Sequence, residues 1–428
     1  MKIDERIQAL LIYLDEQGYE TYLVGGAVRD ALLNYPIHDY DILTKAPFAV
    51  VQSFFPNDCW VSFRKGNTVR LACATLSLDV CFLEEDLIAH LKKRDFTINT
   101  ILYHPTKGYI DWLGGRMDLV NQQIRPADTA EVVLDRDPIR ILRAIRFQAE
   151  LNFSLDPVLK EVLFLKKDRL LTVSKERIQQ ELNRILLSEK PSGVLKEFLP
   201  VFATFLPPLD QTLDFPQENP YHSYSVLDHI LKVVDATPPQ LVLRLAALFH
   251  DIEKPACYSK DEKGIAHFYG HDRLSSQTAF CRLTDLRYPK RIISSVVRLI
   301  AYHDDRPASD DLSLRTFLYR FGTKDLDLLF LLKKADIIGQ NPALQYRLCS
   351  LDEIHRRLRH FIETKQYVTK KDLAIKGEDL LRLGFCGKAI GQLLEELRKK
   401  VCLNELSNQK EVLWQEAKTY KKADVRFG

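Results

Sequence analysis

Two aspartates one residue apart, Asp39 and Asp41, follow a glycine pair, Gly25-Gly26, within Y-L-V-G-G-A-V-R-D-A-L-L-N-Y-P-I-H-D-Y-D-I-L-T, residues 22–44. On a strand, residues i and i+2 share a face, so both carboxylates point the same way. Adjacent carboxylates repel unless a cation lies between them, and Mg²⁺ is the usual cation beside phosphates. Gly25-Gly26 lets the backbone approach a ligand closely and opens a helical segment whose free N–H groups suit phosphate. The two features together ask for a nucleoside triphosphate with its metal ions. Asp79, on the alternating run L-S-L-D-V-C-F-L, offers a third acid toward the same metals.

Two later stretches extend this chemistry. K-R-D-F-T-I-N (93–99) sets Arg94, Asp95 and Asn99 close together. A forked guanidinium can grip a triphosphate, and the acid or amide can hold a ribose hydroxyl or orient the arginine. D-R-D-P-I-R-I-L-R-A-I-R-F-Q-A (135–149) reads as a helix with Pro138 in its first turn and Arg140, Arg143 and Arg146 along one face. Asp137 precedes Arg140 by three residues, placing an acceptor beside a donor. Cytosine and adenine both present an amino donor next to a ring-nitrogen acceptor, which that pair matches; uracil and guanine present the reverse.

These residues need a scaffold. Residues 3–17 carry Ile7, Leu10, Leu11 and Leu14 at helical spacing. Strands are expected at 21–24, 38–43, 59–63, 68–74, 77–82 and 100–103, closing at Tyr109–Asp111, so the first part is a mixed-sheet α+β head with helices. Beyond about residue 126 the strand signal vanishes and helices continue almost to the end. Pro126 and the Pro-rich stretch 200–220 are the expected seams. The 428 residues suggest two to four domains. The net charge of +3 neither demands nor excludes nucleic acid, because a basic face can hide in a near-neutral total. Eight scattered cysteines without a C-x-x-C pair, and no signal peptide, indicate reduced thiols in a cytoplasmic protein. No stretch reaches the length of a membrane span.

On G-G-A-V-R-D, D-Y-D-I-L-T, K-R-D-F-T-I-N, I-D-W-L-G-G-R-M-D-L (110–119), D-P-I-R-I-L-R-A-I-R-F and V-S-K-E-R-I-Q-Q-E-L (173–182), the chain resembles the class II tRNA nucleotidyltransferases, the CCA-adding enzymes with their poly(A) polymerase relatives. The resemblance implies two catalytic metal ions at Asp39 and Asp41. It places the 93–99 stretch by the triphosphate and ribose, and makes Asp137 and Arg140 the template for CTP and ATP. Gly25, Gly26, Arg29 and Arg94 would hold phosphates and ribose, and Arg143, Arg146 and the 173–182 helix would support the template. The implied domains are a nucleotidyltransferase head (1–125), a helical neck (126–200), an HD-type body (215–345) and a helical, tRNA-binding tail (346–428). Two departures bear on specificity. Arg136 stands where the family has glutamate, a like charge beside Arg140. The stretch between Asp79 and Lys93 is shorter than the family's flexible loop, which is associated with switching from CTP to ATP; members that add only CC have it reduced.

The second half carries H-S-Y-S-V-L-D-H-I-L, A-A-L-F-H-D-I-E-K-P, F-Y-G-H-D-R, A-Y-H-D and K-K-A-D-I-I-G-Q. Histidine and aspartate neighbours on helices can converge on a divalent metal. The order resembles the HD phosphohydrolase superfamily, which implies His229, His250, Asp251 and Asp336 as ligands of a second divalent metal (Mn, Ni, Mg or Fe), with His222, His271 and His303 as outer candidates. Such a site activates water to cut phosphate esters or 2′,3′-cyclic phosphates. Glu253 replaces the usual glycine after H-D-I. In the tail, Lys371, Lys376, Lys388, Arg398, Lys399 and Lys400 could meet a tRNA backbone. The expected function is template-independent addition of CMP and AMP to the tRNA 3′ end from CTP and ATP with Mg²⁺. The alternatives are CC-only addition, poly(A) synthesis, or an HD phosphohydrolase or RNA-binding protein with an idle head.

Overall fold

The computed structural model describes residues 3–37, 39–55, 60–65, 67–73, 76–221 and 223–422. It forms two compact units, Met1–Pro207 and Pro208–Gly428. The expected strand ends at His38, Cys59 and Ala74, and the candidate ligand His222, lie outside the described residues.

In the first unit, α1 (Glu5–Glu16) buries Ile7, Leu10, Leu11 and Leu14 and starts one residue after Asp4, whose carboxylate caps Arg6 N. There follow β1 (Thr21–Val24), α2 (Gly26–Leu32), β2 (Tyr40–Thr44), α3 (Phe48–Phe54), β3 (Trp60–Lys65), β4 (Thr68–Cys73), β5 (Leu76–Phe82), α4 (Leu87–Lys92), β6 (Leu102–His104) and β7 (Gly108–Ile110). They make one sheet in the order β3-β4-β5-β2-β1-β6-β7. Only β2 and β5 run parallel, and parallel neighbours need a crossover, which α3 and the β3–β4 hairpin supply. The register pairs Asp41 with Val24 on one side and with Asp79 on the other. The sixth strand starts at Leu102 rather than residue 100, because Thr97–Asn99 winds into a 3₁₀ turn that Thr100 N closes on Thr97 O at 2.9 Å.

Next come α5 (Gly115–Val120), α6 (Ala130–Arg136), α7 (Arg140–Leu151), α8 (Pro157–Leu165), α9 (Lys175–Leu186), α10 (Ser192–Glu197) and α11 (Leu199–Phe202). Strand structure does not stop at residue 125, since Gln123–Ile124 pairs in parallel with Ser154–Leu155. The expected single helix over 135–149 is two helices. A residue before proline is pushed out of the helical region, and Asp137 is extended (φ −154°, ψ 102°), so α6 ends at Arg136 and α7 begins at Arg140. The I-D-W-L-G-G-R-M-D-L stretch braces the 97–99 turn. Asp111 accepts from Gly115 N and Arg116 N at 2.9 and 2.8 Å, and Thr97 Oγ1 donates to Asp118.

The second unit is helical: α12 (Val226–Ala236), α13 (Leu241–Phe249), α14 (His271–Asp285), α15 (Lys290–Tyr302), α16 (Asp311–Phe321), α17 (Leu326–Gly339), α18 (Arg347–Glu363), α19 (Gly377–Arg382), α20 (Lys388–Cys402) and α21 (Lys410–Lys422), with a short antiparallel pair at Ser259–Lys260 and Ala266–His267. α12 packs on α13 and α17, and α15 on α13 and α14. The C-terminal helices close over Leu373, Leu380, Leu393, Leu397 and Leu413. Among the described residues, no helix is long and apolar enough to cross a membrane.

Candidate active site

A cavity of about 590 Å³ is lined by Gly25, Asp39, Asp41, Asp79, Arg94 and Arg140 among others. Gly25 sits at φ +78°, which L side chains rarely adopt, and a Cβ there would stand 2.4 Å from Asp41 Oδ2 and 3.0 Å from Arg94 Nη1. The backbone therefore rests directly against a carboxylate and a guanidinium. Gly25→Ala is expected to displace both and to lower nucleotide incorporation by about 100-fold, the order reached when reacting groups move by about an ångström. Single-turnover rates with saturating nucleotide would measure it.

Asp41 and Asp79 are Cα partners on neighbouring parallel strands, and Asp39, just before β2 begins at Tyr40, lines the same cavity. Burial pushes the Asp41 carboxyl above its ordinary value, and the Asp79 and Asp39 charges add to that, against the opposing pull of Arg94, 3.8 Å away. An all-oxygen set of clustered carboxylates suits a hard divalent cation. Asp79 is not wholly free for that task. Arg70 Nε and Nη2 donate to its two oxygens at 2.6 and 2.5 Å, a bidentate clamp the sequence reading missed. The signal was the strand register, since Arg70 lies opposite Asp79 on β4.

Arg29 is buried. Its Nη1 donates to Asn99 Oδ1 (2.7 Å), its Nε and Nη2 to Asp30 (2.9 and 2.7 Å), and its guanidinium lies 4.9 Å from the Phe147 ring centre. It therefore anchors Asn99 to α2. Asn99 Nδ2 in turn donates to Asp95 Oδ1 at 2.9 Å, and Arg143 Nη1 to Asp95 Oδ2 at 3.2 Å. Burial raises the Asp95 pKa, but the Arg143 charge and these hydrogen bonds outweigh it and hold the carboxyl below its ordinary value. Glu181 of α9 ties the arginine face together, accepting from Arg143 Nε (3.3 Å) and Arg146 Nε (2.6 Å). Spacing alone does not single out Glu181 within the 173–182 helix, because its partners lie 35 and 38 positions earlier.

The Asp137–Arg140 pair does not form as the helical spacing predicts. Asp137 lies in the break before α7, and both its oxygens accept from Arg177 of α9 at 3.1 and 2.6 Å. Arg140 Nη1 and Nη2 donate to the carbonyls of Val133 (3.2 Å) and Lys93 (2.6 Å). Arg136 does not crowd it, since its Nη1 donates to Lys92 O at 2.9 Å. Both arginines cap the carbonyl end of α4, where the helix dipole favours positive charge. Asp137 is not among the residues lining the cavity, whereas Gly26, Arg29, Asp95, Asn99, Arg143 and Arg146 are.

The second unit gathers His229 from α12, His250 and Asp251 after α13, His271 at the start of α14, His303 after α15 and Asp336 from α17. His229 Nε2 is 3.1 Å from both Asp251 Oδ2 and Asp336 Oδ1, and His250 Nε2 is 3.3 and 3.8 Å from them. His271 and His303 stand against the other Asp251 oxygen, at 3.2 and 3.5 Å, rather than outside the cluster. Glu253 turns toward α14, where Thr278 Oγ1 donates to it. In the tail, Arg398 and Lys400 are held in ion pairs by Glu395 and Glu416.

Three family models match the chain: "Poly A polymerase head domain" over residues 21–84 and 79–125, "Probable RNA and SrmB- binding site of polymerase A" over 152–203, and "tRNA nucleotidyltransferase domain 2 putative" over 259–417. The A-adding tRNA nucleotidyltransferase of Deinococcus radiodurans is 29% identical over 413 residues, 91% of this chain and 93% of that one. The CC-adding tRNA nucleotidyltransferase of Thermus thermophilus is 30% identical over 343 residues, 73% of this chain and 75% of that one. In fold, the chain is similar to a Bacillus stearothermophilus CCA-adding enzyme solved with CTP, with a TM-score of 0.71 at 21% identity, covering 98% of both chains.

Proposed function

The chain belongs to the class II tRNA nucleotidyltransferases, and on that premise we propose that it adds CMP and AMP to the 3′ end of tRNA, using CTP and ATP and no nucleic-acid template. The observation that carries this reading is the convergence of the Asp39–Asp41 pair, the Gly25-Gly26 turn and the α7 arginines on one cavity. The tRNA 3′-oxygen forms the new bond to the α-phosphorus, the bond from that phosphorus to the β-phosphate bridge breaks, and pyrophosphate leaves. Asp39 and Asp41 would hold Mg²⁺, with Asp79 behind them on β5. Mg²⁺ bound there supplies charge neutralisation and acidifies the attacking hydroxyl. Arg94 reaches the Asp41 carboxylate, so it is placed to take the phosphates beside the metal. Arg29 and Asn99 fix Asp95 and the ribose wall. Arg140, once released from the Val133 and Lys93 carbonyls, presents donors to the base, and Asp137, once turned from Arg177, presents the acceptor. A cytoplasmic location is part of this reading, because its substrate is tRNA.

A second reading, CC-only addition, is favoured by one feature. Only residues 83–86 join β5 to α4, and this connection is pinned. Leu83 N donates to Thr44 O at 2.8 Å, the Asp86 carboxylate caps Ile88 N and Ala89 N, and Glu85 is paired with Lys93 and His90. That leaves no length for the flexible loop linked in this family to the CTP-to-ATP switch. The test is a tRNA lacking its 3′ end, incubated with CTP, ATP or both, and the products sequenced. The expected product with both is C, C, A. A stop at CC with ATP present establishes the second reading, long A tails a polymerase, and no incorporation overturns the proposal.

In the second unit, His229, His250, Asp251 and Asp336 are proposed to hold a divalent cation that serves phosphate-ester hydrolysis. Asp251 is fully buried against His229 and His250, and imidazole nitrogens beside a carboxylate are a donor set that suits a divalent cation. The HD-type body (215–345), the neck (126–200) and a tRNA-binding tail (346–428) are proposed as functional divisions on the same grounds.

A further inference from the structure

We infer that Arg136 is a positioning residue for base selection: it keeps α6 joined to α4 when Arg140 turns to the nucleotide base. This rests on the nucleotide-addition reading and deepens it by naming what frees the base-reading arginine.

Without a nucleotide, Arg140 is a joint between two helices. Its Nη1 donates to a carbonyl in the last turn of α6 (Val133, 3.2 Å), and its Nη2 to the carbonyl that ends α4 (Lys93, 2.6 Å). Carbonyls at helix C-termini lack partners inside the helix and attract positive charge. The joint is incomplete, however. Arg140 Nε is buried and has no hydrogen-bond partner among the described residues. A buried donor left unmade is destabilising, so the guanidinium has something to gain by moving. Arg140 also lines the nucleotide cavity, where a base offers it acceptors in exchange for the two carbonyls.

That exchange reaches the metal-binding acids. Lys93 O belongs to the peptide that carries the Arg94 N–H, and Arg94 Nη1 lies 3.8 Å from Asp41 Oδ2. Downstream of Arg94, Arg143 Nη1 holds Asp95 at 3.2 Å. If Arg140 alone held the upstream side, reading the base would loosen the arginine that grips the phosphates. Arg136 removes this conflict. It stands in the last turn of α6, and its Nη1 donates to Lys92 O at 2.9 Å, one peptide before the carbonyl that Arg140 uses. Its Nη2 points to Asp128, with Oδ2 3.9 Å away. Arg136 is not among the residues lining the cavity, so it does not compete for the base. α6 and α4 therefore stay joined with Arg140 in either position.

The test compares kcat/KM for CTP and for UTP on a tRNA lacking its 3′ end, using the full chain. Wild type, Arg136→Gln, Arg140→Gln and the double variant are measured. Arg136→Gln is expected to cut the preference for CTP over UTP about tenfold, roughly the net worth of one hydrogen bond. The loss falls on CTP, because only a base that draws Arg140 away opens the joint. In the Arg140→Gln background the same change is expected to leave the preference unaltered, since residues that act through one another are not additive. Arg136→Lys, which keeps a charged donor for Lys92 O, is expected to recover part of the preference. An equal loss with Arg140 present or absent overturns the inference. So does an unchanged preference in Arg136→Gln with only the unfolding midpoint lowered, which shows a helix cap and nothing more. No CMP incorporation by wild type overturns the nucleotide-addition reading instead. Where Arg136→Gln fails to fold, Arg136→Lys in both backgrounds carries the same comparison.

Discussion

Asp41→Asn is expected to lower CMP and AMP incorporation by about 1,000-fold or more while leaving the fold intact. Loss of a metal-ligating carboxylate removes several kcal/mol of transition-state stabilisation, and about 1.4 kcal/mol is tenfold in rate. The intact fold follows from the sign of the Asp41 pKa shift. Its carboxyl is raised by burial and by the Asp79 and Asp39 charges. A carboxyl raised in the folded state favours folding where it is protonated, at low pH, and loses that contribution as pH rises through the folded value. At neutral pH without added cation, the charged Asp41 is thus a burden that the neutral amide relieves. Thermal unfolding in EDTA should give a midpoint for Asp41→Asn at or above wild type. A clear fall would mean that Asp41 is held by partners other than a cation, and retained incorporation would remove it from the active site.

Glu181→Ala is expected to act in the opposite way, through stability first. Glu181 is nearly buried and holds Arg143 and Arg146 at once, and the Arg146 side chain is only 5% exposed. Truncating one partner of a buried pair leaves its charges uncompensated, at a cost of about 3–5 kcal/mol. For a unit of this size that is a fall of roughly 6–20 °C in the midpoint of the first unit's unfolding. Arg146 keeps Glu150 at 2.6 Å, which favours the lower end. Released from Glu181, Arg143 would hold Asp95 less firmly, so nucleotide KM should rise even at temperatures where the variant is folded. Glu181→Gln, which keeps the shape and one acceptor, should recover part of both. Calorimetry of the two variants beside steady-state kinetics separates these effects, and an unchanged midpoint for Glu181→Ala would show the network to be solvated.

The parts of the site legible in the sequence are those whose geometry is set within a few residues. A glycine pair beside a helix start, and two acids two apart where a strand begins, keep their meaning wherever the strand goes. The template pair was not legible in the same way. Asp137 and Arg140 look like helix neighbours, but Pro138 forces the residue before it out of the helix, and Arg177, 40 positions on, takes the carboxylate that spacing assigned to Arg140. Arg136 looked like an unfavourable neighbour of Arg140 for the same reason, until α4 offered both arginines its carbonyl end.

By itself, then, the sequence determined the chemistry on offer: a triphosphate turn, a pair of metal-binding acids, an arginine face, and a set of histidines and aspartates in the second half. Which of these groups face one another was decided by the tertiary structure. The sheet register put Asp79 beside Asp41 and Arg70 across from it. Helix packing put two imidazole pairs on opposite oxygens of Asp251. Residue type fixes what a side chain can donate, accept or ligate, whereas a distance of about 3 Å between groups scores of residues apart exists only once strands pair and helices pack.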